Sequence, residues 1–147
     1  MAFHHFHSPK QMAKECFRVL RTGGLVCIRN STRERSSPYE SYFPNYRSAL
    51  DSLPAAVEIV EAFAANGFEL RLHETVPHMM AKSVKDLAEK AAFRADSTLL
   101  SLSSEDFDRG LVAMRATPET SDGPAMIDID LFVFARQRHF ELNLPEP

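Results

Sequence analysis

Apolar side chains at Met12, Ala13, Cys16, Phe17 and Leu20 recur every three or four residues, with Lys10, Lys14, Arg18 and Arg21 turned to water. That is the stripe of an amphipathic helix. Ser8, Pro9 and Gln11 supply a cap, a first-turn proline and the far half of a capping box, so the helix is predicted to start at Ser8. Gly23 fits its left-handed end. Leu25, Val26, Cys27 and Ile28 are apolar on both alternating faces, which predicts a strand buried between helix layers. From 29 to 53 the pattern breaks into Ser, Arg, Pro and Tyr, a long connection with one or two helical turns. Pro54 then opens a second helix with Val57, Ile59, Val60, Phe63 and Ala64 toward the core, closed by Asn66 and Gly67.

Phe68, Leu70 and Leu72 alternate with Glu69, Arg71 and His73, the period of a strand with one wetter face, expected to run from Phe68 to Val76. Helix starts follow at Ser83 and Ser103, with cores through Val84, Leu87 and Ala91 and through Phe107, Leu111 and Met114. The run from Met126 to Arg136 is a strong strand pattern whose second half is apolar on both faces. Glu105 and Asp106 read as a helix first turn, and Asp128 and Asp130 as the wet face of that last strand. The order α, β, long connection, α, β, two helices, β defines a small α/β layer of three strands and four to five helices.

Composition narrows what such a layer does. With 147 residues one domain is expected, and 17 basic against 20 acidic residues, scattered, give no stripe for nucleic acid. No segment is long and apolar enough for a membrane, and no signal peptide precedes the first helix, so the expected location is the cytoplasm. Cys16 and Cys27 are accordingly expected as reduced, buried thiols. There are five glycines, about half the number that ordinary usage gives, and they build no dinucleotide or P-loop motif. The histidines His4, His5 and His7 lack a second ligand pair, so no metal is assigned to them.

Phe3-His4-His5-Phe6, Pro9, Glu15, the run Phe17-Arg18-Val19-Leu20-Arg21, Gly23-Gly24 and the strand after them resemble the back half of class I S-adenosylmethionine-dependent methyltransferases of the type 11 kind. Thr22 stands where that family usually has proline. The resemblance implies a partial Rossmann-like sheet of strands equivalent to 5, 7 and 6, with the last strand antiparallel and inserted between the other two. It also implies a single domain over 1–147, with a helical insertion over 83–116 between the last two strands. The glycine-rich turn and acidic residues with which that family holds S-adenosylmethionine have no counterpart here. The chain is therefore expected to be the C-terminal portion of a methyltransferase for a small-molecule acceptor, incomplete or inactive alone. A non-catalytic interaction or assembly module derived from the same fold is the alternative.

In that family the histidine-aromatic segment lines the acceptor site, so the resemblance implies His4 or His5 as general base, a fitting role for a neutral imidazole. Asn30 and Arg33 follow the first strand, and ligands of open α/β sheets sit at such carboxyl ends. Tyr39, Tyr42 and Tyr46, with Phe43, are candidates for an aromatic lid over the acceptor, or else for a helix face packed inward. An unpaired edge on the strand Leu25 to Ile28 predicts a homo-oligomer that associates through that edge or through the helix starting at Ser8.

Overall fold

The computed structural model describes residues 8–138, and His4 and His5 lie outside them. In chain order the elements are α1 (Pro9–Val19), β1 (Leu25–Asn30), a 3-10 turn (Pro38–Ser41), α2 (Tyr46–Asp51), α3 (Ala56–Ala64) and β2 (Phe68–Ala81). Then come α4 (Val84–Ala92), α5 (Ser97–Leu100), α6 (Ser104–Arg115), a second 3-10 turn (Glu119–Ser121) and β3 (Ala125–Arg136). The strands form one sheet in the order β1-β3-β2. The amide of Arg136 donates to the Gly24 carbonyl and that of Gln137 to the Gly67 carbonyl, both at 2.9 Å. The end of β3 thus meets the starts of both its neighbours, so the central strand is antiparallel to each. This is the α/β arrangement expected, with the last strand inserted between the first two.

The fold divides into two compact units, one of residues 8–30, 57–74 and 131–138, the other of 31–56 and 75–130. The second is wider than the expected insertion over 83–116, because it also takes in the long connection after β1.

In the first unit, α1 and α3 pack on the even-numbered face of the sheet. Ala13, Ile59 and Phe63 are fully buried there, as are Phe132 and Phe134 to within 1%. Phe63 stacks on Phe134 at 4.3 Å between centroids and meets Phe68 at 5.2 Å, while Phe17 meets Phe68 edge-on at 5.8 Å. Each such ring contributes about 1.5–3 kcal/mol by burial. Gly67 has φ +79°, and a Cβ there would sit 2.7 Å from Phe17 Cε2, so this turn needs glycine both for its backbone and for the ring beside it.

Several expectations change. Ser8 caps α1 in position, but its side chain makes no capping hydrogen bond. Val57 and Ala64 are exposed, since only Ile59 and Phe63 of α3 lie squarely on the sheet-facing stripe. β1 is covered on one face only: Ile28 is buried, whereas Leu25 and Cys27 are exposed and Cys16 is half-buried, so neither thiol is fully buried. β1 ends the described sheet and both helices lie on its other face. β2 continues through Pro77 to Ala81, which a strand at the sheet's other end tolerates because proline has no amide to offer a further neighbour.

In the second unit the helices are set by their caps. Ser83 accepts from the Asp86 amide at 3.0 Å, Ser103 from the Asp106 amide at 3.1 Å, and Asp96 from the Thr98 amide at 2.8 Å. Leu87, Ala88, Ala91, Leu99, Phe107 and Met114 close a core around an aromatic cluster.

Candidate functional site

The segment that follows β1 is held by named polar contacts within the second unit. Asp130 of β3 is completely buried, not on a wet face. Arg35 grips it with two parallel bonds, Nη2 to Oδ1 at 2.6 Å and Nε to Oδ2 at 2.8 Å, and the Thr32 hydroxyl donates to Oδ2 at 2.7 Å. A fork of this kind fixes direction as well as distance. Asp130 in turn raises the Arg35 guanidinium above its ordinary value by hydrogen bonding, against the opposing effect of burial. Arg47 binds the segment from the other side, donating to the carbonyls of Arg33 and Arg35 while its Nε holds Asp51 at 2.9 Å. The Arg33 amide donates to the Pro54 carbonyl at 3.3 Å. Residues 32–35 are thus pinned by backbone and by charge, a rigid presentation of whatever their side chains do.

Glu34 is exposed and accepts from the Ala56 amide at 3.3 Å. Burial pushes its carboxyl up, but hydrogen bonds from Thr32 and from the amides of Glu34 and Ala56, with the Arg33 charge, leave it below the ordinary value. The Thr32 hydroxyl has one proton for two carboxylates. Its 2.7 Å contact with Asp130 claims that proton, so Glu34 depends on the amides.

The expected aromatic lid resolves differently at each ring. Tyr39 and Tyr46 are each 3% exposed and Phe43 2%. Tyr39 lies 5.5 Å from both Phe43 and Tyr46, and Phe43 stacks on Phe107 at 5.7 Å. These two tyrosines are core residues, a correction to their reading as acceptor contacts, because apolar faces from α4 to α6 close over them. Burial, assisted by the Asp96 charge, pushes the Tyr39 phenol up to about 12 and Tyr46 higher still. Both stay protonated at neutral pH. Tyr42 is only partly buried, and its hydroxyl accepts from Thr117 at 3.4 Å. Asn30, the last residue of β1, is 1% exposed. Arg33 is half-buried. Sequence reasoning missed Thr32, Arg35 and Asp130. The available signal was a lone carboxylate set in the run Ile129 to Ala135, otherwise apolar on both faces, where a charge requires a partner.

The described glycines give no cradle for a nucleotide-like cofactor. Gly23 and Gly67 make turns before strands, Gly110 lies against Phe43, and the segment leaving β1 from Ser31 to Arg35 holds none. The described residues thus supply no glycine-rich cradle that would fit S-adenosylmethionine. Among the described residues, no group of three or more His, Cys, Asp or Glu side chains could hold a metal, and no helix is long and apolar enough to cross a membrane.

Comparison with known proteins bears on the fold. Neither known family models nor curated proteins match the sequence. Among solved structures, a protein of Bacillus halodurans C-125 provisionally identified as a methyltransferase superposes with a TM-score of 0.55 at 16% identity. The match covers 94% of this chain and 67% of that one. Phosphoethanolamine N-methyltransferase 2 of Haemonchus contortus, solved with phosphomonomethylethanolamine and S-adenosylhomocysteine, gives 0.41 at 14% identity over 92% of this chain and 32% of that one. The first likeness defines a methyltransferase-like fold.

Proposed function

We propose that this chain is the C-terminal portion of a class I methyltransferase of the type 11 kind for a small-molecule acceptor, dependent on a cofactor-binding segment that it does not itself contain. The observation that carries this reading is the sheet β1-β3-β2 with its antiparallel centre, superposing over 94% of the chain on the Bacillus halodurans protein. Acceptor contacts are assigned to Arg33 and Tyr42, both in the second unit and both only partly buried. Calorimetric titration with S-adenosylhomocysteine tests the dependence: no saturable heat is expected from the 147-residue chain. Saturable binding would mean that the chain is sufficient for cofactor. The family reading is tested separately by the genomic sequence upstream, which should encode in frame a strand followed by a glycine-rich turn.

An assembly module derived from this fold is the second reading, favoured by the exposure of Leu25 at 58% and of Val19 at 65%. β1 also ends the described sheet. Association of two copies through that edge or through α1, in a cytoplasmic protein, follows from the same exposure. Sedimentation showing only monomer at micromolar concentration would remove it.

A further inference from the structure

The first unit holds a concavity that the preceding reading does not use. The turn before β1, the start of β2 and the end of β3 border an open cavity of about 520 Å³. Metabolite-sized ligands occupy spaces of this order. Among its lining residues are Arg71, Arg136 and Arg138 and one carboxylate, Glu69, in a chain whose net charge is −3. Among the described residues, no carboxylate lies within ion-pair distance of Arg136 or Arg138.

The three arginines differ in what holds them. Arg136 is anchored, its guanidinium 4.0 Å above the Phe17 ring and donating to the Leu20 carbonyl, while its Nε is buried without an acceptor. That guanidinium is held against α1, on the face opposite to Leu25, and leaves the cavity to the other two arginines. Arg71 meets Glu69 at 3.0 Å, but both side chains are well exposed, 57% and 44%, and an exposed pair of this sort is weak enough for a better acceptor to displace. Arg138 is exposed. Leu25 and Ala135 add apolar lining next to these charges, and Leu25 is 58% exposed although it is large and apolar. Guanidinium forks match carboxylates and phosphates in geometry, and a side chain such as Leu25 matches an apolar body.

We propose that this cavity binds a small amphipathic anion, a carboxylate or phosphate monoester on an apolar body, with its head at Arg71 and Arg138 and its body on Leu25 and Ala135. The site belongs to the first unit alone and stands or falls independently of the methyltransferase reading.

The test is an amide chemical-shift titration of the full chain with phenyl phosphate, benzoate and uncharged benzyl alcohol. Saturable shifts at Gly23, Leu25, Arg71, Ala135 and Gln137 are expected with at least one of the two anions, and which anion gives them identifies the head group. Benzyl alcohol should bind at least about tenfold more weakly, a difference of about 1.4 kcal/mol. The double variant Arg71→Gln, Arg138→Gln changes two exposed side chains. It should keep the amide spectrum elsewhere and lose at least about tenfold in affinity. Absence of saturable shifts with either anion, equal binding of benzyl alcohol, or unchanged affinity in the folded double variant would each overturn the proposal.

Discussion

In the first unit the core is ring against ring, with Phe63 on Phe134 and Phe68 between Phe17 and Phe63, and Asn30 is its one fully buried polar residue among those described. In the second unit Asp130, Thr32, Ser37 and Thr117 are buried alongside Tyr39, Phe43 and Tyr46. Burial of rings needs little more than shape. Burial of a carboxylate needs particular partners in particular directions, and removing one of them leaves a charge with nowhere to go. The first unit should therefore lose stability in proportion to volume removed, and the second in steps that depend on which partner is lost. All three tyrosines, Tyr39, Tyr42 and Tyr46, lie in the second unit, and the chain has no tryptophan. Intrinsic fluorescence thus reports that unit alone.

The largest effect expected from this contrast is at Arg35. Arg35→Ala leaves Asp130, fully buried, without its cation, and such losses cost about 3–5 kcal/mol. Because the Arg35 side chain is itself 25% exposed, water reaches the vacated space and the lower end, about 3 kcal/mol, is expected. Replacing both partners, Arg35→Met with Asp130→Leu, should restore more than half of the loss. Full recovery is not expected, because the Thr32 hydroxyl exchanges the buried Asp130 acceptor for the exposed Glu34 carboxylate. Urea unfolding followed by tyrosine fluorescence measures both. A double variant no more stable than Arg35→Ala would show that the pair is not what this region depends on.

A smaller effect sharpens the comparison from the other side, since the second unit also has one place packed as tightly as any ring stack. A Cβ at Gly110 would fall 2.2 Å from Phe43 Cδ1. Phe43 cannot step aside, being hemmed by Tyr39, Tyr46 and Phe107. Gly110→Ala gains about 1 kcal/mol of helix propensity in α6 but overpacks a closed site, which costs about 1–3 kcal/mol. A net loss of about 1 kcal/mol is expected, seen as a lower urea midpoint. A midpoint above that of the parent chain would mean that the rings have room to spare.

The same contrast explains what could be read from the chain. Helices α1 and α6 and strand β3 were legible because apolar period is a local property, and the capping serines Ser83 and Ser103 stood where the caps formed. The order β1-β3-β2 was not a matter of period; it followed from the resemblance carried by Arg18 to Gly24 and the strand after them. Asp130 was misread because it shares parity with Asp128, which is exposed. Its burial depends on Arg35 and Thr32, 95 and 98 residues away, and no local pattern records such a partner. Tyr39 and Tyr46 were singled out as a cluster, but whether a ring cluster faces a ligand or a core is decided by what closes over it, here the faces of α4 to α6. Cys27 and the length of β2 depart from expectation for separate reasons: no described helix covers the Cys27 face of β1, and Pro77, in the outer strand, has no amide that would need a further neighbour.

The smallest expected effect separates charge from packing within the second unit. Glu34 has its folded pKa below the ordinary 4.5. A carboxyl so placed adds stability above its unfolded value and loses that contribution as pH falls through the folded value. Between about pH 5 and pH 3 the parent chain should therefore lose stability in part because Glu34 takes up a proton. Glu34→Gln has no proton to take up, so its urea midpoint by tyrosine fluorescence should fall less steeply over that window, with the two curves closest at its acid end. The difference is small because the side chain is exposed and water screens it. Arg35→Ala, by contrast, should lower the midpoint at neutral pH, where Glu34 is ionised. If Glu34→Gln and the parent lose stability with equal slope, the amides of Glu34 and Ala56 do not hold that carboxylate, and the segment after β1 is fixed by Arg35 and Arg47 alone.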